Sequence, residues 1–305
     1  SGFMHLDGGQ ASIDLYELVK KESDGSLKNE DFTRIWTDVV ILPMCRFEYV
    51  IRTSKHTAIG YDKDQAVFYG LLVHIFKTLC NMRRIVCQRV IDVYVANFHI
   101  RTLVESCTRL LYFLDHPEEV EIFRKNSIKP ELRFKKIILN SINSRDKDLY
   151  HGESEYEEEL LKSIQESLDS AGYDDSEAIP KMHNMYEMMQ DQDLTIMYTP
   201  YASSSHFVHC DWSAIYKNYL NEDGEKYYPC FDDYEVDIRL LNPILLLCYH
   251  ALRIFLLKYP GHCIEQSLLD DIKCDKNIIT MLDRMHHNYL HKMPLETDIE
   301  QFIEL

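Results

Sequence analysis

The stretch DKDQAVFYGLLVHIFKTLCNMRRIVCQR, residues 62–89, decides the fold. Val67, Leu71, Ile75, Leu79, Met82 and Val86 recur every three or four residues, the period of one helical face. Asp62 or Asp64 supplies a side chain that can cap the first turn. A second long helix is predicted over 92–114. It stops ahead of His116-Pro117, because proline disfavours helical geometry in the residue before it.

Outward from this pair, helices are predicted at 118–127, 131–142 and 155–170, with another after Pro180. Thr199-Pro200 reads as a helix start, Thr at the N-cap and Pro at the first helical position, with the helix running to about 220. Residues 221–224 read as a turn and 227–229 as a short extended piece. The last long core helix is placed at 235–258, ended by Tyr259-Pro260-Gly261. On the N-terminal side, 13–21 and 31–40 are short helices, and Pro43 ends the second. The β-branched and aromatic run 47–53 reads as extended. The expected architecture is all-α, a bundle of five or six long helices with short N- and C-terminal additions. Its expected divisions are lead-in helices at 1–62, a core domain at 63–260 and a C-terminal helical appendage at 261–305.

Composition supports that class. Only ten glycines and nine prolines punctuate 305 residues, too few for the many tight turns of a sandwich or barrel. The net charge of −17 repels phosphate backbones at long range and argues against extensive nonspecific nucleic-acid binding. Nine cysteines stand singly, with no C-x-x-C pair, so neither a zinc ribbon nor a disulfide framework is indicated and a reducing compartment is the simplest reading. No uncharged apolar run reaches the roughly 18 residues of a membrane span. A cytoplasmic protein without membrane contact is expected, with neither metal nor cofactor.

Two polar stripes stand out. Arg101, Glu105 and Arg109 are spaced by four on the second long helix, opposite Ile100, Leu103, Cys107, Leu110 and Leu114, and flanked by Tyr94, Phe98 and Tyr112. Tyr201, Ser205 and His209 have the same spacing on the helix after Pro200, on a face shared with Val208, Trp212, Ile215, Tyr216 and Tyr219. A solvated ion-pair ladder and an ordinary core histidine are the bland readings. The sharper one joins the stripes, since buried polar groups require partners. Arg101, Glu105 and His209 then meet as candidate catalytic residues, with His209 as acid or base. Tyr201, Ser205 and Arg109 become candidate ligand-binding residues. A metal reading of His206, His209, Asp211 and Glu105 is weakened because His206 and Asp211 lie off the face of His209.

The order of R-x-L-x-E (Arg101, Leu103, Glu105) and Y-x-x-x-S-x-x-x-H (Tyr201, Ser205, His209) resembles a prokaryotic helical family known only as a domain of unknown function. The likeness runs from about residue 64 to 258 and includes the Asp115-His116-Pro117-Glu118-Glu119 break. The family commonly carries a basic residue where this chain has Ala202. It implies an all-helical bundle from mobile or defence-related bacterial settings, and no reaction.

A weaker likeness is to HEPN-type helical domains, whose ribonucleases use R-x(4–6)-H. Arg109…His116, Arg145…His151 and Arg284…His291 fit, but about two such matches arise by chance in this composition. Arg145 with His151 is the preferred pair among them. The basic stretch 124–136 reads as a solvated helix face, with an anion- or RNA-contacting patch as the alternative. The chain is therefore expected to be a defence- or stress-associated interaction or sensor protein, with a protein partner or a homodimer. The alternative is a metal-independent ribonuclease, and RNA or a nucleotide enters only with it.

Overall fold

The computed structural model describes residues 8–88, 93–145, 154–232, 237–261 and 265–295. They form helices α1 (Gly8–Asp24), α2 (Asn29–Val39), α3 (Ile41–Thr53), α4 (Lys55–Ile59), α5 (Lys63–Cys87), α6 (Val93–Asp115), α7 (Glu119–Asn126), α8 (Lys129–Ser144), α9 (Glu155–Ala171) and α10 (Met185–Asp191). After these come α11 (Tyr198–His209), α12 (Trp212–Asn218), the antiparallel hairpin β1 (Leu220–Asp223) and β2 (Lys226–Pro229), α13 (Asn242–Lys258) and α14 (Gln266–Leu290). The all-α class is as the sequence predicts.

Local chemistry explains the starts. Asp62 caps α5 by accepting from the backbone N–H of Gln65, and the Gln65 side chain accepts from Asp62 N–H in return. Ser154 and Glu157 form the same reciprocal box on α9, which ends at left-handed Gly172. On α5 the core buries Phe68, Tyr69, Leu72, Ile75, Leu79, Met82 and Val86. Val67 and Leu71 fall at the edge, because each four-residue step overshoots a full turn by about 40° and the stripe drifts round the helix.

Two expectations near the N-terminus need correction. Residues 47–53 are helical, and Pro43 lies in the first turn of α3, where its missing N–H has no intrahelical partner to lose. Tertiary packing overrides β-propensity here: Phe47 and Val50 are fully buried and α3 lies along α5.

The chain forms two compact units, Ser1–Leu114 with Met185–Leu305, and Asp115–Asn184. In the first, α13 packs on α14, and α14 also meets α1, α2 and α3. The helices expected as lead-in and appendage supply much of this core, including Phe32, Trp36, Phe47, Ile272, Ile279 and Leu282. The segment Ile238–Lys258 is long and apolar enough to cross a membrane, yet most of it is buried here as a core helix. In the second unit α8 packs on α9 around Ile128, Ile138, Ile164, Leu168 and Ala171.

Candidate functional site

Arg101 joins the two stripes. From α6 its Nη1 donates to the Tyr201 carbonyl at 3.1 Å and to Ser205 Oγ at 2.5 Å. Its Nη2 donates to the Tyr201 hydroxyl at 3.0 Å, and its guanidinium carbon lies 4.1 Å from the centre of the Tyr201 ring. Three of the five guanidinium donors are thus taken by one turn of α11. Such an arginine is a clamp between helices, with little capacity left for a ligand.

The predicted meeting of Glu105 with His209 does not occur. Glu105 pairs instead with Arg109 at 2.8 Å, each side chain 28% exposed. His209 is exposed at the end of α11, with no hydrogen bond or ion pair to another described residue. The cause is a break that the sequence reading missed. Cys210 takes a left-handed conformation (φ 47°, ψ 49°), and Asp211 caps a new helix by accepting from Ala214 N–H. His206 then pairs with Asp211 rather than reaching a metal site. Because α11 stops at His209 and α12 starts afresh, Trp212, Ile215, Tyr216 and Tyr219 no longer continue the face of Tyr201. Among the described residues no group of three His, Cys, Asp or Glu side chains could hold a metal.

Beside the clamp lies a pair that sequence spacing could not reveal. His74 Nδ1 on α5 is 2.7 Å from Ser106 Oγ on α6. Burial and Arg109 hold His74 below the usual imidazole range, while Glu105 pulls the other way. Burial and Glu105 push the Tyr201 hydroxyl up. His74, Glu105, Arg109 and Tyr201 therefore share one electrostatic neighbourhood. The faces of α6 are as predicted, with Ile100, Leu103, Cys107 and Leu110 buried opposite the charges.

The arginine–histidine strings gain no common geometry. Arg145 is paired with Glu157 at the start of α9, and His151 lies outside the described residues. His116 approaches Glu118 at 3.6 Å, and Arg284 and His291 are exposed on α14 and just after it. In the basic stretch, Lys125 pairs with Glu121 and Glu177, and Lys135 donates to Gln165.

Beyond the break, α12 and the hairpin present an aromatic face. Trp212 is 59% exposed and Tyr227 44%. Their rings meet edge to face at 5.7 Å, and Tyr216 stacks on Trp212 at 6.1 Å. The Tyr216 hydroxyl donates to Glu222 Oε2 at 3.1 Å, which fixes the ring against β1.

An all-α protein whose α6 arginine clamps α11 is thus the class that fold and geometry define. The chain belongs to the Family of unknown function (DUF5677), which matches residues 65–227. That match takes in Arg101, Tyr201 and Ser205, and also Trp212, Tyr216 and Tyr227. No curated protein and no solved structure matches the chain.

Proposed function

We propose that this protein works by binding rather than by catalysis, as an interaction protein that self-associates through the aromatic face of α12 and the hairpin. The observation that carries the reading is the exposure of Trp212 and Tyr227 on a face whose rings are held by one another and by the Tyr216–Glu222 hydrogen bond. Large rigid aromatics of this kind anchor interfaces at low entropic cost. Charge favours a second copy as the occupant. A chain of net charge −17 repels itself over most of its surface. Around this face Lys217 and Lys226 stand with Glu222, Asp223 and Glu225, a nearly balanced, self-complementary rim of the kind a two-fold interface needs. A defence or stress setting in the bacterial cytoplasm rests on the family resemblance and belongs to the same proposal.

Sedimentation across the micromolar range tests it. The expected result is a concentration-dependent dimer that Trp212→Ala with Tyr227→Ala returns to monomer, with an unchanged circular-dichroism spectrum. A wild type that stays monomeric would remove the proposal. The reading also expects no RNA cleavage in EDTA. Cleavage abolished by His209→Ala or His151→Ala would replace it with the ribonuclease.

A further inference from the structure

Helix α14 sorts its charges between two sides. Asp271 and Asp275, one turn apart, face Arg46 of α3, with Asp275 taking a two-point hydrogen bond from it. Lys273 and Lys276 turn to the other side, where they and Arg253 of α13 line a cavity of about 430 Å³. Gln266, Asn277 and Asp270 complete its polar wall. Asp270 is the one acid in that lining, and the Gln266 amide donates to it at 3.0 Å. Arg253, Lys273 and Lys276 form no hydrogen bond or ion pair with another described residue. Three cations thus face one carboxylate, in a chain that elsewhere carries a large surplus of acid.

The clustered cations act on the titratable groups beside them. Lys276 is half-buried, and burial together with Arg253 holds its ammonium below the ordinary lysine range. His250, one turn before Arg253 on α13, is pushed down by burial, Lys276, Arg253 and Lys258. Arg253 and Lys273 are exposed and Lys276 is half-buried, so the three cations stand at the groove surface, where an anion from solvent can reach them.

We infer that the groove between α13 and α14 binds a small phosphate-bearing anion. A phosphate monoester carries a charge of about −1.5 to −2 near neutrality, which matches the groove's surplus of two positive charges. The planar fork of Arg253 and the point charges of two lysines are the donor set that phosphate oxygens select. The cavity has the size of small-molecule sites, about 300–1,000 Å³. A nucleic acid fits less well, because its backbone would have to approach a chain of net charge −17. The groove lies outside the span of the family match and shares no residue with the aromatic face, so this inference is independent of the proposed dimer.

Calorimetric titration of the 305-residue chain with inorganic pyrophosphate, at fixed ionic strength with chloride as control, tests it. One saturable site is expected, weakened at least about tenfold by Lys276→Gln and by Arg253→Gln. Lys276→Gln should also melt no lower than the parent in the absence of ligand, because it removes a desolvated cation from beside Arg253. If Arg253→Gln fails to fold, exposed Lys273→Gln carries the same expectation of weakened binding. No saturable heat up to millimolar pyrophosphate would overturn the inference, as would unchanged affinity in the folded variants. Dimerisation through Trp212 should be unaffected by any of these changes, which keeps the two proposals separable.

Discussion

Arg46, Tyr249 and Asp275 show how a single buried charge is held. The Asp275 side chain is 0% exposed, accepts from Arg46 Nε at 2.8 Å and Nη2 at 3.3 Å, and accepts from the Tyr249 hydroxyl at 3.0 Å. Burial pushes its carboxyl above the usual range, against Arg46 and Tyr249, which pull it down. Desolvation therefore wins, and the pair is costly to keep yet more costly to break. Asp275→Asn should lower stability by about 3–5 kcal/mol, since it leaves Arg46 without its buried counter-ion. Replacing both, with Arg46→Met and Asp275→Leu, should recover most of that loss. Urea denaturation of the two single variants and the double checks this, and strictly additive losses would contradict it. Neither residue was legible as part of a site, because 229 positions separate them.

At the scale of the element, the Cys210 break decides what α11 and α12 can do. A non-glycine residue in the left-handed region costs about 1 kcal/mol or more relative to glycine. Cys210→Gly is therefore expected to raise stability by roughly that amount, and Asp211→Ala to lower it by about 1 kcal/mol through loss of the cap. Thermal melts of both variants check the signs; a destabilised Cys210→Gly would mean that the thiol itself is held. The starts of α5 and α9 were legible because a capping box is written in adjacent residues. The break was not, because Cys210 carries none of the usual signals of a helix end, and only the Asp211 cap hinted at a new start. Residues 47–53 misled for a related reason: β-branched and aromatic residues suit a strand by propensity, but their helical face is buried along α5.

For the whole molecule, pH sets two tendencies against each other. His74, His99, His250 and His286 are all held below the ordinary imidazole range, in each case chiefly by burial. As pH falls through about 6.5, the unfolded chain takes up protons at these positions before the folded one does. The unfolded state then binds more protons, so stability should drop from pH 7 downward until the folded histidines also titrate. Protonation meanwhile relieves the repulsion of a chain at −17, which works in the opposite direction. At physiological ionic strength surface charges are screened beyond about 8 Å, so the desolvated histidines, led by buried His286, should dominate. The melting temperature should therefore be lower at pH 5.8 than at pH 7.5; an increase would show that net-charge repulsion governs.

Periodicity, caps and prolines determined the helical class, the long helices α5, α6 and α13, and the polar stripe of Arg101 with its apolar opposite face. These are local properties, since a helical face is set by spacing along one segment. The same logic joined the two stripes, because polar groups on two amphipathic helices require partners, but it expected Arg101 and Glu105 to meet His209; the contacts of Arg101 with Tyr201 and Ser205 came from the packing. Tertiary structure alone decided the rest. It set His209 in solvent, put His74 against Ser106 and Asp275 against Arg46, and left Arg253, Lys273 and Lys276 together with only Asp270 as counter-charge. The basic stretch at 124–136, conspicuous in the sequence, has Lys125 and Lys135 answered by side chains of its own unit, while the groove's cations are spread across two helices and draw no notice there. Charge along a chain is visible in one dimension; whether it is neutralised depends on which helices come to lie side by side.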